Sequence, residues 1–173
     1  ALRWLAFPAI ASALWFGLTS TSPDILVEER ARIVAAVTAD EIMVPTPGKG
    51  SRFAVGKWLQ QRGQQEKPAA AAKHLLWTCE ASVCRAVVKG RDVAFLKETA
   101  ELVKPCPAAD ILIAQYPLRR RCKGRLVTID RFDVWRSGAH AISLAASGVS
   151  VTTARGEQGI RPWTISPRAR SRK

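Results

Sequence analysis

Histidine is scarce in this sequence, which has only His74 and His140 among its 173 residues. Neither belongs to an HxHxDH cluster, the pattern that seats a zinc pair and generates a hydroxide nucleophile. No Cys-x-x-Cys pair is present and no cysteine has an evident partner base, so thiol catalysis is not indicated. A Gly-rich phosphate loop is also missing, because the Gly-Lys-Gly segment at 48–50 lacks the required spacing and the Ser or Thr. The sequence therefore predicts no catalytic residue, no metal site and no cofactor.

Charged side chains are absent from Trp4 to Pro23, a run flanked by Arg3 and Asp24. A helix rises about 1.5 Å per residue, so about 20 apolar residues cross the hydrocarbon core of a bilayer. The run therefore predicts a transmembrane helix within residues 1–23. An uncleaved secretory signal is the alternative, but the run exceeds a usual signal core and lacks a small-x-small cleavage site. Cytoplasmic flanks are enriched in Lys and Arg, so Arg3 before the run, with Asp24, Glu28 and Glu29 after it, predicts that the residues after the run face the exterior or periplasm.

Residues 24–165 have the length of one ordinary domain with its own core, and residues 166–173 form a basic tail. The net charge is +13, and part of it is concentrated in one basic cluster. The basic cluster comprises Arg119, Arg120, Arg121, Lys123 and Arg125. Clustered cations bind phosphate groups by releasing counterions, which predicts a polyanionic partner, either nucleic acid or anionic lipid. A surface that only improves solubility is the alternative.

The cysteines form two local pairs, Cys79 with Cys84 and Cys106 with Cys122. In an exported domain the oxidising compartment favours two disulfides, most simply one within each pair. A four-thiolate zinc site is the alternative. Zinc knuckles usually have two residues between their ligands, which neither pair has, so the spacing favours disulfides.

The apolar pattern predicts a strand-rich domain of the α/β or α+β class, with a mixed β-sheet and two short helices. One helix is predicted over 51–63 and the other over Glu98–Lys104, with loops over 63–73 and from residue 156 onward. The strand-helix-strand order within 93–129 allows a parallel unit. The predicted strands are Ile25–Val27, Arg32–Val37, Glu41–Val44, Trp77–Cys79, Cys84–Val88, Val93–Leu96, Ile111–Ala114, Leu126–Ile129, Ala139–Ala145 and Val149–Thr153.

One block combines polar and aromatic side chains in a motif of unknown role: Asp130, Arg131, Asp133, Trp135 and His140. As a site, Asp130, Asp133 and His140 could supply oxygen and nitrogen ligands to a divalent metal. As structure, the carboxylates pair with neighbouring arginines or with backbone N–H groups at a turn, Trp135 packs, and His140 is an ordinary strand residue. Mixtures of carboxylates and arginines are more often salt-bridged turns than metal sites, which favours the structural interpretation.

The order of several segments along the chain carries a resemblance. These segments are the charge-free run, Pro23–Val27, Arg52–Leu59, Trp77-x-Cys79, Ala109–Ile113, Ile129–Ala141 and Gly159–Trp163. In this order they resemble the C-terminal part of ComEC-type DNA internalisation proteins, in the form found in alphaproteobacteria. The likeness extends to about Trp163, and Ile129–Ala141 is its most specific part.

This resemblance implies a competence protein, part of the inner-membrane channel through which one strand of incoming DNA passes during natural transformation. Residues 1–23 would be the last spanning helix of a channel whose upstream part is missing, and residues 24–165 an exported periplasmic domain. The implied partners are single-stranded or double-stranded DNA, the membrane and the remainder of the channel. The basic cluster would contact the DNA.

Many members of that family carry an exported metallo-β-lactamase-like domain implicated in degrading the other DNA strand. The HxHxDH cluster of that domain is missing here, and so is its Gly-Gln-Gly-Asp turn. We therefore expect a DNA-contacting domain without catalytic activity. One alternative is a divergent metal-dependent nuclease that uses Asp130, Asp133 and His140. Another is a structural module that docks the channel or a periplasmic partner, with its basic face on anionic lipids.

Overall fold

The computed structural model describes residues 7, 12, 22–80, 82–97, 106–118, 122–146 and 148–159. Within these residues the chain forms ten strands and four short helices. The strands are β1 (Ile25–Val27), β2 (Val34–Val37), β3 (Met43–Pro45), β4 (Thr78–Glu80), β5 (Val83–Val88), β6 (Arg91–Leu96), β7 (Ile111–Ala114), β8 (Val127–Ile129), β9 (His140–Ala145) and β10 (Gly148–Thr153). The helices are α1 (Arg52–Gln61), α2 (Pro68–Ala71), α3 (Arg131–Ser137) and α4 (Ala154–Gln158).

The strands of the described residues form two five-stranded sheets. The antiparallel sheet has the order β10-β9-β1-β2-β3, with Ile25 opposite Ile142 where β1 meets β9. The mixed sheet has the order β4-β5-β6-β7-β8, in which β4 to β6 are antiparallel and β6 to β8 are parallel. Parallel strands end at the same edge of a sheet, so the residues after β7 and β8 lie close together.

Alternate residues of both sheets meet in one core between them. Val93 and Phe95 of β6 and Ile111 and Ile113 of β7 are each at most 1% exposed in this core. They pack with residues of the antiparallel sheet, among them Ile25. Because side chains alternate between the two faces of a strand, every second residue of these apolar runs points into the space between the sheets.

The outer face of the antiparallel sheet is covered by α1 and α2. The hydroxyl oxygen of Ser51 accepts a hydrogen bond from the backbone N–H three residues later, at 3.2 Å, and so begins α1. Val55 and Leu59, one helical turn apart, are buried in a cluster with Ala35 and Val37 of β2. The apolar face of this amphipathic helix therefore packs against the antiparallel sheet.

The outer face of the mixed sheet is covered by the chain segments before and after β7. Ala109 and Leu118 are buried against Leu96 and Leu112. The central strands of the mixed sheet are thus buried on both faces, which accounts for their continuous apolar sequences.

The structure assigns the fold to the α+β class, and β6, β7 and β8 form the parallel unit that the strand-helix-strand order within 93–129 allows. Three features differ from the sequence-based prediction. The strands form two sheets, α2 lies in the predicted loop 63–73, and α3 and α4 were not predicted. These helices have four to seven residues, which is too short for a helical period to be visible in the sequence. The predicted helix Glu98–Lys104 lies outside the described residues.

Within the part of the chain that the structure describes, no helix has the length and apolar character needed to cross a membrane. The predicted span, residues 4–23, lies almost entirely outside that part.

Candidate functional site

Asp130 begins α3 and links it to the segment after β7. Its Oδ1 accepts hydrogen bonds from the backbone N–H groups of Phe132 at 2.8 Å and Asp133 at 3.2 Å. In return, Oδ2 of Asp133 accepts from the N–H of Asp130 at 3.1 Å, which completes a capping box. The second oxygen of Asp130 accepts from the N–H of Leu118 at 3.1 Å. One carboxylate therefore fixes both the helix and the chain just before the basic cluster.

His140 is a buried residue of β9 and is 6% exposed. Its Nδ1 lies 2.8 Å from the carbonyl oxygen of Gly138, and because a carbonyl only accepts, Nδ1 donates its hydrogen there. Burial lowers the pKa of His140, while the Gly138 carbonyl and the charge of Asp133 partly offset this shift. Burial therefore favours the neutral form of the imidazole.

Asp130, Asp133 and His140 do not come together as a metal site. The two carboxylates cap α3 and the histidine bonds a backbone carbonyl. No group of three or more His, Cys, Asp or Glu side chains in the described residues is arranged to hold a metal ion. The metal-dependent nuclease alternative thus loses the three ligands on which it depended.

A cleft of about 320 Å³ lies where β1 and β7 end and α3 begins. We call it the arginine cleft. It is lined by Glu29, Arg30, Arg32, Gln115, Arg131 and Trp135. The turn after β1 contributes the first three residues, Gln115 follows β7, and the last two lie one turn apart in α3.

A buried carboxylate shapes the turn that carries two of these arginines. Glu28 is 4% exposed, and its Oε2 accepts a hydrogen bond from the backbone N–H of Arg32 at 3.2 Å. Its backbone oxygen accepts from the N–H of Ala31 at 2.8 Å. Ala31 is fully buried at φ +52°, a left-handed conformation that is uncommon outside glycine. The backbone between Arg30 and Arg32 is therefore fixed from inside the core.

Gln115 connects the two sheets at the cleft. Its backbone N–H donates to the carbonyl oxygen of Leu96 at 3.0 Å, which continues the parallel pairing of β6 and β7. Its side-chain Nε2 donates to the carbonyl oxygen of Arg32 at 3.1 Å, on the turn after β1. The amide thereby sets the distance between the wall formed by the antiparallel sheet and the wall formed by the mixed sheet.

Positive charge dominates the arginine cleft. Glu29 lies 3.9 Å from Nε of Arg30, but both side chains are about two-thirds exposed, so this pair contributes little. Among the described residues, the guanidinium groups of Arg32 and Arg131 have no carboxylate within 4.0 Å. Two arginines of this cleft are therefore available to an anion that enters it.

Trp135 is not buried, whereas the structural interpretation of the motif expected it to pack. It is 57% exposed and lines the arginine cleft. Phe132, on the same helix, is also exposed, at 43%. Val134 is the residue through which α3 joins the core between the sheets. The short helix therefore presents its aromatic residues to solvent.

The predicted basic cluster is only partly described. Arg119, Arg120 and Arg121 lie outside the described residues, whereas Lys123 and Arg125 are exposed. Nη1 of Arg125 is 3.8 Å from Oδ1 of Asp110, whose side chain is 15% exposed whereas that of Arg125 is 68% exposed. Lys123 has no carboxylate within 4.0 Å in the described part of the chain.

Both predicted disulfides, Cys79–Cys84 and Cys106–Cys122, are present. The first joins residues that face each other across β4 and β5, and the second ends one residue before Lys123. The described residues contain no free cysteine, so the alternative four-thiolate zinc site is not formed. Disulfides of this kind are typical of oxidising, extracytoplasmic compartments.

Comparison of the chain with protein-family models, with curated proteins and with solved structures gives no match. A function must therefore be argued from the arginine cleft and its surroundings.

Sequence reasoning identified Arg131 and Trp135 but missed Arg30, Arg32 and Gln115. Each missed residue follows the end of a buried strand by one to five positions. Polar residues at the carboxyl ends of strands are a signal of sites in sheet proteins. Polar residues after strands could not be assigned to a site here, because the sequence does not show that β1 and β7 end near each other.

Proposed function

We propose that this chain is the exported, disulfide-bonded and non-catalytic domain of an inner-membrane DNA-uptake channel, where it contacts incoming DNA. Three features support the proposal together. They are the resemblance to ComEC-type proteins, the net charge of +13 and the two disulfides. In this proposal the domain faces the periplasm, and the apolar run at 4–23 anchors it in the membrane.

The observation that carries the DNA contact is the arginine cleft. Arg32 lies in the turn after β1 and Arg131 in α3. Both line the same cavity, and neither has a carboxylate partner among the described residues. Guanidinium groups match the oxygens of a phosphate with paired hydrogen bonds, so this arrangement suits a nucleic-acid backbone. Lys123 and Arg125 are two further exposed cations in the described residues, outside the lining of the cleft.

The binding test uses the full oxidised chain in detergent micelles and a fluorescein-labelled single-stranded oligonucleotide. Affinity is measured by anisotropy between about 50 and 200 mM salt, where log affinity falls by about 0.7 per neutralised phosphate for each unit of log salt. We expect steep salt dependence for the native sequence. Replacing Arg30, Arg32 and Arg131 by Gln should flatten the slope by up to about 2, because up to three phosphate contacts are lost.

A matched variant controls for the loss of net charge. Lys57, Lys67 and Lys73 are exposed cations on and beside α1 and α2, and replacing them by Gln removes the same charge. We expect this variant to keep most of the slope of log affinity against log salt that the native chain shows. Equal flattening by both triple variants would show that no particular surface binds DNA, and undetectable binding by the native chain would contradict the proposal outright.

The basic cluster is tested separately by replacing Arg119, Arg120 and Arg121 with Gln. If these residues contact DNA, the slope should flatten here as well, and the effect should add to that of the cleft variant. An unchanged slope would remove the three arginines from the DNA contact while leaving the arginine cleft in place.

The role in uptake is tested in a naturally transformable host that makes the entire protein. Neutralising the arginine cleft should lower DNA uptake without lowering the amount of protein in the membrane. If uptake survives neutralisation but is lost when the domain is deleted, a structural module that docks the channel explains the domain better.

A further inference from the structure

The arginine cleft contains an aromatic surface as well as cations. Trp135 lines the same cavity as Arg131, which precedes it by one helical turn, and more than half of its surface is exposed. Neutralising a phosphate needs only the arginines. The indole beside them offers a flat apolar face, which does not contribute to binding a charged phosphate.

We propose that the arginine cleft binds a single DNA strand, with one unpaired base stacked on the indole of Trp135 and an adjacent phosphate held by Arg32 and Arg131. The inference rests on the proposed function for the choice of DNA as the ligand. Cationic grooves that also carry an aromatic platform are the usual way in which proteins hold single strands without sequence preference. Every base has a π face, so the stacking tolerates any sequence.

The size and construction of the cleft favour a single strand over a duplex. Its volume of about 320 Å³ is at the small end of the range for ligand sites, about 300–1,000 Å³. A cavity of this size holds one nucleotide, and a base that is still paired and stacked within a duplex cannot present its face to Trp135. The cleft should therefore discriminate between unpaired and paired DNA.

The walls of the cleft are held in place before any ligand binds. The turn that carries Arg32 is fixed by the carboxylate of Glu28, and Gln115 bonds the carbonyl of Arg32. The helix that carries Trp135 and Arg131 is capped by Asp130. Binding then orders little additional backbone, which lowers its entropic cost.

The test compares Trp135→Ala with the native sequence, using the full oxidised chain in detergent micelles. The probes are a fluorescein-labelled oligothymidylate, the same strand with abasic sites, and a duplex of equal length. Trp135→Ala should weaken binding of the oligothymidylate by about five- to hundredfold, the range for loss of one stacked base. It should leave the abasic strand and the duplex unaffected, and it should leave the salt slope unchanged because no phosphate contact is lost.

Two variants serve as controls. Phe53→Ala removes an exposed aromatic ring of α1 that is not part of the cleft. Like Trp135, this ring has a cation nearby, since Nζ of Lys57 is 5.8 Å from the ring centre. This variant should leave the affinity for every probe unchanged. Trp135→Tyr keeps a stacking face and should restore most of the native affinity. Urea denaturation checks that the Trp135→Ala variant is folded. We expect it to be folded, because the side chain that is removed is exposed.

The outcomes separate this inference from the proposed function. If the native chain binds the oligothymidylate and Trp135→Ala binds it equally well, the stacking proposal is wrong while DNA contact stands. Equal weakening for abasic and normal strands would also overturn it, since the tryptophan would then act without a base. Failure of the native chain to bind any probe overturns the proposed function and the stacking proposal together.

Discussion

Asp24 and Lys89 form an ion pair that joins the two sheets, with Nζ of the lysine 2.8 Å from Oδ1 of the aspartate. Asp24 immediately precedes β1, and only 7% of its side chain is exposed. Its other oxygen accepts a hydrogen bond from the backbone N–H of Leu144 in β9, at 2.7 Å. Lys89 lies in the turn between β5 and β6. A single carboxylate thus ties neighbouring strands of the antiparallel sheet to a turn of the mixed sheet.

Removing the carboxylate should destabilise the domain more than removing the lysine. Asp24→Ala leaves the N–H of Leu144 without its acceptor, and we expect the free energy of unfolding to fall by about 1–3 kcal/mol. Lys89→Met should lower it by about 1 kcal/mol or less, since the lysine is half-exposed and water screens the pair. Urea denaturation of both single variants and the double variant measures the coupling. A change below about 0.5 kcal/mol for Asp24→Ala would contradict this account.

Stability should fall on acidification because of His140. Burial lowers the pKa of His140 in the folded chain below its unfolded value, so the unfolded chain takes up a proton more readily. The stability that neutral His140 contributes is therefore complete above the unfolded pKa and is lost as the pH falls through the folded pKa. Each proton contributes at most about 1.4 kcal/mol per pH unit to the slope. His140→Asn, whose amide can still donate to Gly138, should shrink this slope, measured by urea denaturation between about pH 5 and 8. If the free energy of unfolding varies with pH in the same way in both chains, His140 is not the cause of the loss of stability on acidification.

A Cβ atom should not be tolerated at Gly124, between the two described cations of the basic cluster. Added there, it would collide with the carbonyl oxygen of Val127 and lie 2.9 Å from that of Asp110. The N–H of Gly124 also donates to Oγ1 of Thr128 at 2.8 Å. Gly124→Ala should therefore lower the free energy of unfolding by about 1–3 kcal/mol, as measured by urea denaturation.

Gly56→Ala is the matched control for that substitution. Gly56 lies inside α1, and a Cβ there would have no atom within 4 Å. Alanine has the higher helix propensity, so this variant should gain about 0.5–1 kcal/mol. Similar losses at both positions would show that the close backbone contacts of Gly124 are not the reason for its effect.

Local pattern was sufficient to predict much of the secondary structure. The apolar runs at β6 and β7 are bounded by turn residues, and Ser51 marks the start of α1, so these elements could be placed from the sequence. The disulfides could be predicted because each cysteine has its partner close along the chain. α3 was missed because a capped helix of seven residues has the same local sequence as a polar turn.

The sequence by itself determined which residues are apolar and alternate, which cysteines are neighbours along the chain, and that the chain is strongly basic. Only the tertiary structure decided which strands are neighbours, as in the pairing of Ile25 with Ile142. The physical reason is that alternation assigns a side chain to a face of a strand, whereas backbone hydrogen bonds are nearly the same for every residue and do not select a partner. The arginine cleft depends on those pairings, because they bring Arg32, Gln115 and Trp135 to one edge.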